Sequence, residues 1–558
     1  MHDLLITDAE IYDGLGGPPV HADVAVQGGR IAAIGKGLGA GRERVSAGGL
    51  ALMPGIIDTH THYDAQITWD PMANPSPALG VTTVVMGNCG FTIAPCRPAD
   101  RDLVMRNLTH VEGMSLAALR EGIRWDFESF PQYLDGIEQR GVGPNVACFV
   151  GHSSVRTYVL GEDAARRAAT APEIAQMRAI VVEAVQAGAC GFSTTTSLQH
   201  NGENGIPMPS RLADDAEMQA LCGSLREVGR GVLMMTKAGS TPVAWVEDLA
   251  ARAGRPFVVA ALLHNNAAPE ASFEDLEHIG QARSRGHRLY GAVSCCPLVF
   301  EFTMHEPYVF EGLAAWKPAM TVHGEDALRL FRDSGFRAAV KRELAQPARR
   351  MFNGEWEKLF VTQTRLPEHR AYEGRPLSAL AADSGKHPMD VLLDLSVEEQ
   401  LDTLFTGTLL NSDEEAVGRM IRDPNSLLSL SDAGAHLTFL CDAGFGLHFL
   451  GHWVRGRGLM PMQEAVRRLT SQPADAIGIP GRGRIAPGAY ADLLLFDPAS
   501  VGRGPARRVF DLPAGASRLN TPSRGVHGVW VNGEKIADAA GIAEGARPAG
   551  KVLREFAA

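Results

Sequence analysis

The sequence predicts an α/β protein: a (β/α)8 TIM barrel with a small β-sandwich domain formed from both chain termini. Three observations support this fold. Short strand patterns separated by glycine turns occur at both ends of the chain. Between them, apolar runs alternate with helical patterns, and eight of those runs end in polar residues, several of a type that binds metals. Such alternation is typical of a parallel barrel, whose chemistry lies at the carboxyl ends of the strands.

The two ends of the chain share the sequence patterns of one β-rich domain. Strand patterns bounded by glycine turns lie at residues 4–6, 22–27, 30–35, 491–497 and 528–533. Asn532-Gly533 is a hairpin-turn signal at the end of the last pattern. We therefore expect residues 1–54 and 480–558 to form the β-sandwich domain together.

The middle of the chain, residues 55–479, is expected to form the barrel. Its apolar runs end near His60, Asn88-Cys89, Val150-Gly151, Ser193-Thr194, Thr236, His264, Ser294 and Asp432. Apolar residues recur at helical spacing in several of the gaps, at residues 173–187, 214–228, 273–285 and 388–401. The connection from about 296 to 426 is far too long for a simple loop. We expect an insertion of about residues 296–375 to lie over the active site.

The most informative residues are His60 and His62. Residues two apart in a strand point to the same side, so the two imidazoles aim at one spot, as a metal requires. With 18 histidines in 558 residues, roughly 0.6 His-x-His pairs are expected by chance. The pair is therefore evidence for a metal site only because it lies at a strand end. Asp432, which follows another apolar run, could complete the site and handle a proton.

Composition narrows the class of protein. The formal net charge of −11 argues against an extended nucleic-acid surface. No apolar stretch approaches 18 residues, and the first residues do not resemble a secretory signal, so no membrane association is expected. The eight cysteines include no Cys-x-x-Cys pair. We expect a cytoplasmic protein with a small-molecule substrate; a homo-oligomer is possible.

Five motifs follow one another along nearly the whole chain. They are Pro54-Gly55-Ile56-Ile57-Asp58-Thr59-His60-Thr61-His62, Gly87-Asn88-Cys89-Gly90-Phe91, Ala187-Gly188-Ala189-Cys190-Gly191-Phe192-Ser193-Thr194, Leu430-Ser431-Asp432-Ala433-Gly434 and Gly483-Arg484-Ile485-Ala486-Pro487-Gly488-Ala489-Tyr490-Ala491-Asp492-Leu493. With these motifs the chain resembles the amidohydrolase superfamily. The Gly-Asn-Cys-Gly element makes it similar to the D-aminoacylase branch, the N-acyl-D-amino-acid deacylases.

The resemblance implies metal-dependent hydrolysis of an amide bond in a barrel capped by a β sandwich. It implies that His60 and His62 bind one metal ion, and that Cys89 bridges two ions or belongs to a tight site. Asp432 would be both a ligand and the proton shuttle, and His264 matches the metal-binding histidine of the sixth strand. Imidazole, thiolate and carboxylate suit Zn²⁺, with one or two ions bound.

Three positions depart from the family pattern. Lys237 stands where a histidine ligand is expected, and Asn266 stands where a lysine usually reaches the substrate carboxylate. The tyrosine-rich element after the seventh strand is replaced by residues 293–297. Lys237 has three interpretations: a carbamylated metal ligand, a free ammonium that binds substrate, or a structural lysine paired with an acid. An unmodified ammonium beside two dications would be repelled, which favours a single ion.

His152 and His436 are candidate substrate-binding residues near the barrel mouth. The favoured function is hydrolysis of the amide bond of an N-acyl amino acid or a related amide. A cyclic amide or lactone hydrolase of the hydantoinase kind is the alternative, because the same water and aspartate would serve it. A non-catalytic relative is a third possibility, motivated by Lys237, Asn266 and Cys295.

Overall fold

A computed structural model describes residues 1–305, 307–346, 348, 350–437 and 440–557. The chain begins with strands β1 (His2–Ile11), β2 (Val20–Gln27), β3 (Arg30–Gly35), β4 (Gly41–Ser46) and β5 (Ala51–Pro54). Seven buried strands follow: β6 (Ile56–Asp58), β7 (Val81–Met86), β8 (Asn145–Gly151), β9 (Gly191–Thr195), β10 (Val232–Thr236), β11 (Phe257–Leu262) and β12 (Leu289–Val293). Three more precede the last buried strand: β13 (Leu298–Phe302), β14 (Leu359–Gln363), β15 (Leu404–Leu410) and then β16 (Ser426–Leu428). The carboxyl-terminal strands are β17 (Leu493–Phe496), β18 (Gly502–Arg503), β19 (Arg507–Val509), β20 (Arg518–Asn520), β21 (Ser523–Arg524), β22 (Val526–Val531), β23 (Glu534–Asp538) and β24 (Gly541–Ile542).

The α-helices lie between and around these strands. In chain order they are α1 (Arg101–Val111), α2 (Leu116–Gly122), α3 (Phe130–Arg140), α4 (His152–Leu160), α5 (Ala171–Ala187), α6 (Asp215–Val228), α7 (Val243–Ala253), α8 (Ala271–Ser284), α9 (Gly324–Arg332), α10 (Ser334–Leu344), α11 (Leu377–Ser384), α12 (Pro388–Glu398), α13 (Glu414–Arg422), α14 (Phe445–His448), α15 (Met462–Leu469) and α16 (Ser471–Ile477). A π-helix, Phe449–Gly456, continues α14.

The central sheet is parallel and closes on itself. Its strand order is β16-β12-β11-β10-β9-β8-β7-β6. The segments that follow its first and last strands meet through a parallel bridge between Thr61 and Ala433. At this seam the Asp432 N–H donates to the His60 carbonyl at 3.2 Å, and the His62 N–H donates to the Ala433 carbonyl at 2.8 Å. The predicted (β/α)8 barrel is therefore confirmed, and its seam brings the His-Thr-His segment against Asp432.

The barrel strands coincide with short apolar runs in the sequence. Such runs are expected because other parts of the protein cover both faces of each strand. All of β7 and β8 is buried, and helices pack on the outside. Gly55, before β6, is required by close packing, because a Cβ there would lie 2.1 Å from the Thr82 side chain.

A second sheet joins both ends of the chain. Its order is β24-β23-β22-β17-β5-β1-β2-β3, with β4 paired to β1. β17 runs antiparallel to β5, so the carboxyl-terminal strands continue the amino-terminal sheet. The hairpin between β22 and β23 turns at Asn532-Gly533, where both φ angles are positive. The division of the chain into domains at residues 54 and 480 stays a prediction.

The long connection between β12 and β16 holds its own small antiparallel sheet, in the order β13-β15-β14. Helices α9 to α12 pack with this sheet around a separate cluster of apolar side chains that includes Phe310, Trp316 and Phe405. Within the residues described, no helix combines the length and apolar character needed to cross a bilayer.

Candidate metal centre

The His-Thr-His segment follows β6 directly and is held by its central residue. The Thr61 N–H and Oγ1 both donate to the Val85 carbonyl on β7, at 3.1 and 2.9 Å. This anchor leaves His60 and His62 on the same side of the segment, with ring centroids 5.3 Å apart. Both side chains are buried. The local backbone thus presents two imidazoles to the inside of the barrel mouth.

Cys89 reaches the same point from the end of the next strand. It lies in a short turn after β7 with a positive φ of 57°. The Asn88 side chain donates to the Thr61 and Val85 carbonyls at 3.2 and 2.9 Å, which ties this turn to the His-Thr-His segment. The Cys89 Sγ lies 3.5 Å from His60 Nε2 and 3.9 Å from His62 Nε2. These three donor atoms lie within 4.8 Å of one another.

Asp432 completes this group from across the seam. Its Oδ1 lies 3.1 Å from His60 Nε2 and 3.6 Å from His62 Nε2. The backbone reaches this position through left-handed conformations, with φ of 47° at Asp432 and 92° at Gly434. A Cβ at Gly434 would lie 2.7 Å from the His62 carbonyl group, so glycine is required there. The seam therefore fixes the carboxylate against the imidazoles.

A carboxylate that the sequence did not single out contacts His62 from the other side. The Oε1 of Glu112, which follows α1, lies 2.9 Å from His62 Nδ1. The Glu112 side chain is 2% exposed. Its backbone carbonyl also accepts a hydrogen bond from the His436 N–H. No sequence pattern around Glu112 indicates a role in the site, because the residue that it contacts, His62, lies elsewhere in the chain, after β6.

The donor side chains of this group differ in their protonation. Burial lowers the pKa of His60 to about 4, although the Asp432 carboxylate opposes this. Burial alone would raise the pKa of Asp432, but the neighbouring His60 and His62 hold it below its ordinary range. Burial raises the pKa of the Cys89 thiol. The neutral His60 imidazole and the Asp432 carboxylate are ready ligands. The His62 ring, whose pKa the Glu112 carboxylate holds well above its ordinary value against the effect of burial, and the Cys89 thiol must each lose a proton in order to bind a cation.

The structure places Lys237 at the edge of this region but pairs it with an acid. The residue follows β10 and lines the cavity. Its Nζ lies 3.0 Å from Asp275 Oδ2 on α8 and donates to the Thr241 carbonyl at 3.2 Å. Of the three interpretations of Lys237, this contact is the one expected for a lysine paired with an acid.

The structure does not bring His264 or His152 into the group. Neither is among the described residues that line the cavity. The His264 backbone is held by Asn411, whose Oδ1 accepts from the His264 N–H at 2.7 Å. The His152 ring is fully buried, with Nδ1 2.8 Å from Thr194 Oγ1 and Nε2 2.8 Å from Glu217 Oε1.

The cavity above the donor group has a volume of about 240 Å³. His436 lines it, with its ring centroid 5.8 Å from that of Tyr308. The lining residues that were not predicted as site residues include His200, whose Nδ1 lies 2.8 Å from Thr195 Oγ1, and Thr236, whose Oγ1 lies 3.1 Å from Cys89 Sγ. Both follow or end barrel strands, which is the signal that could have identified them.

The donor set suits zinc. Two imidazoles, a thiol and a carboxylate converge on one buried point at the barrel mouth, and zinc accepts all three ligand types. The open side of the group faces the cavity, since the Asp432 side chain is 23% exposed while the His60 and His62 side chains are 3% and 4% exposed. This geometry can hold an ion and leave one side for a substrate.

Comparison with known proteins identifies the family. The profile of the amidohydrolase family matches residues 43–537. D-aminoacylase from Alcaligenes xylosoxydans xylosoxydans is 30% identical over 544 residues, which cover 96% of this chain and 94% of that protein. A solved structure of a D-aminoacylase, from work on its binuclear metal center, has a TM-score of 0.67 and 25% identity and covers all of both chains.

N-acyl-D-glutamate deacylase from Bordetella bronchiseptica, solved with zinc and a phosphonate inhibitor, has a TM-score of 0.66 and 26% identity. That likeness covers 99% of this chain and 100% of the deacylase chain. The family match spans most of the chain and both structural likenesses span essentially all of it. The chain therefore belongs to the amidohydrolase family and is a hydrolase of amide bonds.

Proposed function

We propose that this protein is a zinc-dependent hydrolase of N-acyl amino acids or closely related amides, with its reaction centre at His60, His62, Cys89 and Asp432. The observation that carries the proposal is the convergence of these four side chains from three strand ends on one buried point. The likeness to D-aminoacylase and to N-acyl-D-glutamate deacylase supports the substrate class.

In this proposal His60, His62 and Cys89 hold the ion and Asp432 faces both the ion and the substrate. When bound, zinc supplies a lowered pKa for the attacking water and polarisation of the scissile carbonyl. Because burial raises the pKa of the Cys89 thiol, the thiol is protonated before an ion binds and would release that proton to solvent in order to act as a ligand. His60 needs no such step, because burial keeps its imidazole neutral.

Asp432 carries the proton transfers. Its carboxylate is ionised in the resting site, because His60 and His62 hold its pKa low. Oδ1 can therefore accept the proton of the attacking water and pass it to the leaving nitrogen. The position of Asp432, with 23% of its side chain open to the cavity, lets one oxygen reach both partners in turn.

The cavity supplies binding surface for the acyl part of the substrate. Phe300, Tyr308, Met351 and Leu440 line it beside the donor group. Its volume of about 240 Å³ suits a small molecule. We propose that these side chains contact the acyl chain while His436 lies close to the scissile amide. Lys237 and His264 have no assigned ligand role in this proposal.

A substrate panel tests the proposal. Linear N-acyl derivatives of D- and L-amino acids are compared with cyclic imides and lactones, using the zinc-loaded enzyme, chelated enzyme and Asp432→Asn. We expect release of free amine from linear substrates, loss on chelation with recovery on added zinc, and a kcat for Asp432→Asn, measured at saturating zinc, that is about 10²- to 10⁴-fold lower, on the order expected for a proton-transfer group. Turnover of cyclic substrates alone, or unchanged turnover by Asp432→Asn, would contradict it.

We also propose that the protein works in the cytoplasm. All eight cysteines, which lie within the described residues, are free thiols. A reducing compartment preserves such thiols. Fractionation of the native host cells, with the protein followed by antibody, tests this location, and recovery in the secreted fraction would contradict it.

A further inference from the structure

We infer that Glu112 is a positioning residue that sets the ring orientation and tautomer of His62 for metal binding. The inference rests on the proposed function, in which His62 holds the ion through Nε2. Its basis is the contact of 2.9 Å between Glu112 Oε1 and His62 Nδ1, on the side of the ring that faces away from Cys89 and Asp432.

The place of Glu112 in the fold is a costly one for a carboxylate. It follows directly on α1, and its N–H donates to the Leu108 carbonyl at 2.9 Å. A negative charge at the carboxyl end of a helix opposes the helix dipole. The side chain is also 2% exposed, and burying a charge is costly without a partner. Among the residues that the structure describes, His62 is the ion-pair partner that lies within 4 Å of this carboxylate.

The chemistry of the contact determines the tautomer. An ionised carboxylate only accepts hydrogen bonds, so when His62 binds an ion through Nε2, the one remaining ring proton lies on Nδ1 and faces Glu112 Oε1. Nε2 then presents its lone pair, and this is the atom that lies 3.6 Å from Asp432 Oδ1 and 3.9 Å from Cys89 Sγ. The opposite tautomer would place a proton on Nε2, where it would donate to Asp432 and block the ion.

Glu112 also connects the metal ligand to the cavity wall. Its backbone carbonyl accepts from the His436 N–H, in the segment that follows Asp432. The same residue therefore contacts His62 through its side chain and the Asp432 segment through its main chain. Moving Glu112 would disturb both sides of the donor group, whereas changing only its side chain isolates the contact with His62.

The test compares zinc affinity in Glu112→Ala, Glu112→Gln and the control Glu121→Gln, an exposed carboxylate on α2. Apoprotein is titrated with zinc against a chromophoric chelator. Outer partners of metal-binding histidines are worth about 10- to 100-fold in metal affinity, so we expect that increase in Kd for Glu112→Ala. Glu112→Gln keeps an acceptor but loses its charge, and we expect a Kd increase of about fivefold. Glu121→Gln should match the wild type.

A spectroscopic measurement separates positioning from general stability. Cobalt replaces zinc at saturating concentration, and the thiolate charge-transfer and d–d bands are recorded. We expect shifted bands in Glu112→Ala and unchanged bands in Glu121→Gln. Wild-type Kd and wild-type bands in Glu112→Ala would overturn the inference while leaving the proposed function intact. If Glu112→Ala does not fold, an unchanged Kd in Glu112→Gln overturns it equally. A wild-type protein that binds no zinc would overturn the proposed function itself.

Discussion

The pairing of Lys237 with Asp275 predicts a large loss of stability when its acid is removed. The two side chains are 3% and 12% exposed, and their charged atoms lie 3.0 Å apart. Asp275→Asn leaves the Lys237 ammonium buried without its counter-charge. Breaking a buried pair in this way costs about 3 to 5 kcal/mol. Because Asp275 retains some exposure, we expect the lower end, about 3 kcal/mol of unfolding free energy.

A double-mutant cycle assigns this loss to the pair itself. Lys237→Met and Asp275→Asn are measured singly and together by urea unfolding, and we expect a coupling energy of about 2 kcal/mol. Arg252→Met is the control, because its partner Asp248 forms an exposed pair with side chains 53% and 50% open to solvent. That change should cost less than about 1 kcal/mol.

Elemental analysis of the same variants tests the functional consequence. We predict that a lysine paired with Asp275 does not bind the metal, so all variants should retain the zinc content of the wild type. Loss of one zinc equivalent in Lys237→Met, or a coupling energy near zero, would refute the reasoning and favour the carbamylated form.

Three further outcomes follow from the site. Gly434→Ala should destabilise the fold by about 1 to 3 kcal/mol in urea unfolding and weaken zinc binding, because the new Cβ would lie 2.7 Å from the His62 carbonyl at a φ of 92°. Cys89→Ser should raise the zinc Kd by at least about 100-fold and remove the thiolate band of the cobalt protein, because it exchanges a direct thiolate ligand for a hydroxyl. The third outcome concerns pH: burial lowers the pKa of His200 from 6.5 to about 3. Below pH 6.5, His200 therefore binds a proton in the unfolded chain but stays neutral in the folded protein, and the free energy of unfolding falls as the pH falls. By linkage this costs about 2 kcal/mol at pH 5, which His200→Gln should remove from the pH dependence of unfolding.

Substitutions of the same kind at positions away from the site serve as controls for these predictions. Gly17→Ala adds a Cβ with open space around it and should leave stability and zinc Kd unchanged. His278→Gln, at an exposed position on α8, should keep the wild-type pH dependence. A stable Gly434→Ala protein, a Cys89→Ser protein with wild-type zinc affinity, or equal pH slopes in the two histidine variants would each contradict its prediction.

The fold could be predicted because its elements carry their own local signals. The helical periodicity at residues 173–187 and 214–228 corresponds to α5 and α6, which begin after the capping residues Thr170 and Asp214. The Asn532-Gly533 signal corresponds to the observed hairpin. Barrel strands that are buried on both faces appear in sequence as short apolar runs, which made their ends visible.

The site could be predicted only where its residues follow the strands directly. The structure places His60, His62, Cys89 and Asp432 together at such ends. His264 also follows a strand, but its backbone is held by Asn411, which lies 147 residues away in sequence. The orientation of such a side chain depends on that distant contact. Glu112 gave no signal for the same reason, since its role comes from the long β7–β8 connection folding back over the mouth.

The seam of the barrel also has a consequence for how this chain matures. The donor side chains come from opposite ends of the barrel sequence. Thr59, next to His60, and Ser429, close to Asp432, are separated by 370 positions, yet their hydroxyl oxygens lie 2.7 Å apart. The ribosome must therefore release nearly the entire barrel before Asp432 can join the other three donor side chains. A fragment that stops before the last strand would keep His60, His62 and Cys89 but lack the Asp432 carboxylate, so the complete donor group forms only after nearly the whole barrel has been synthesised.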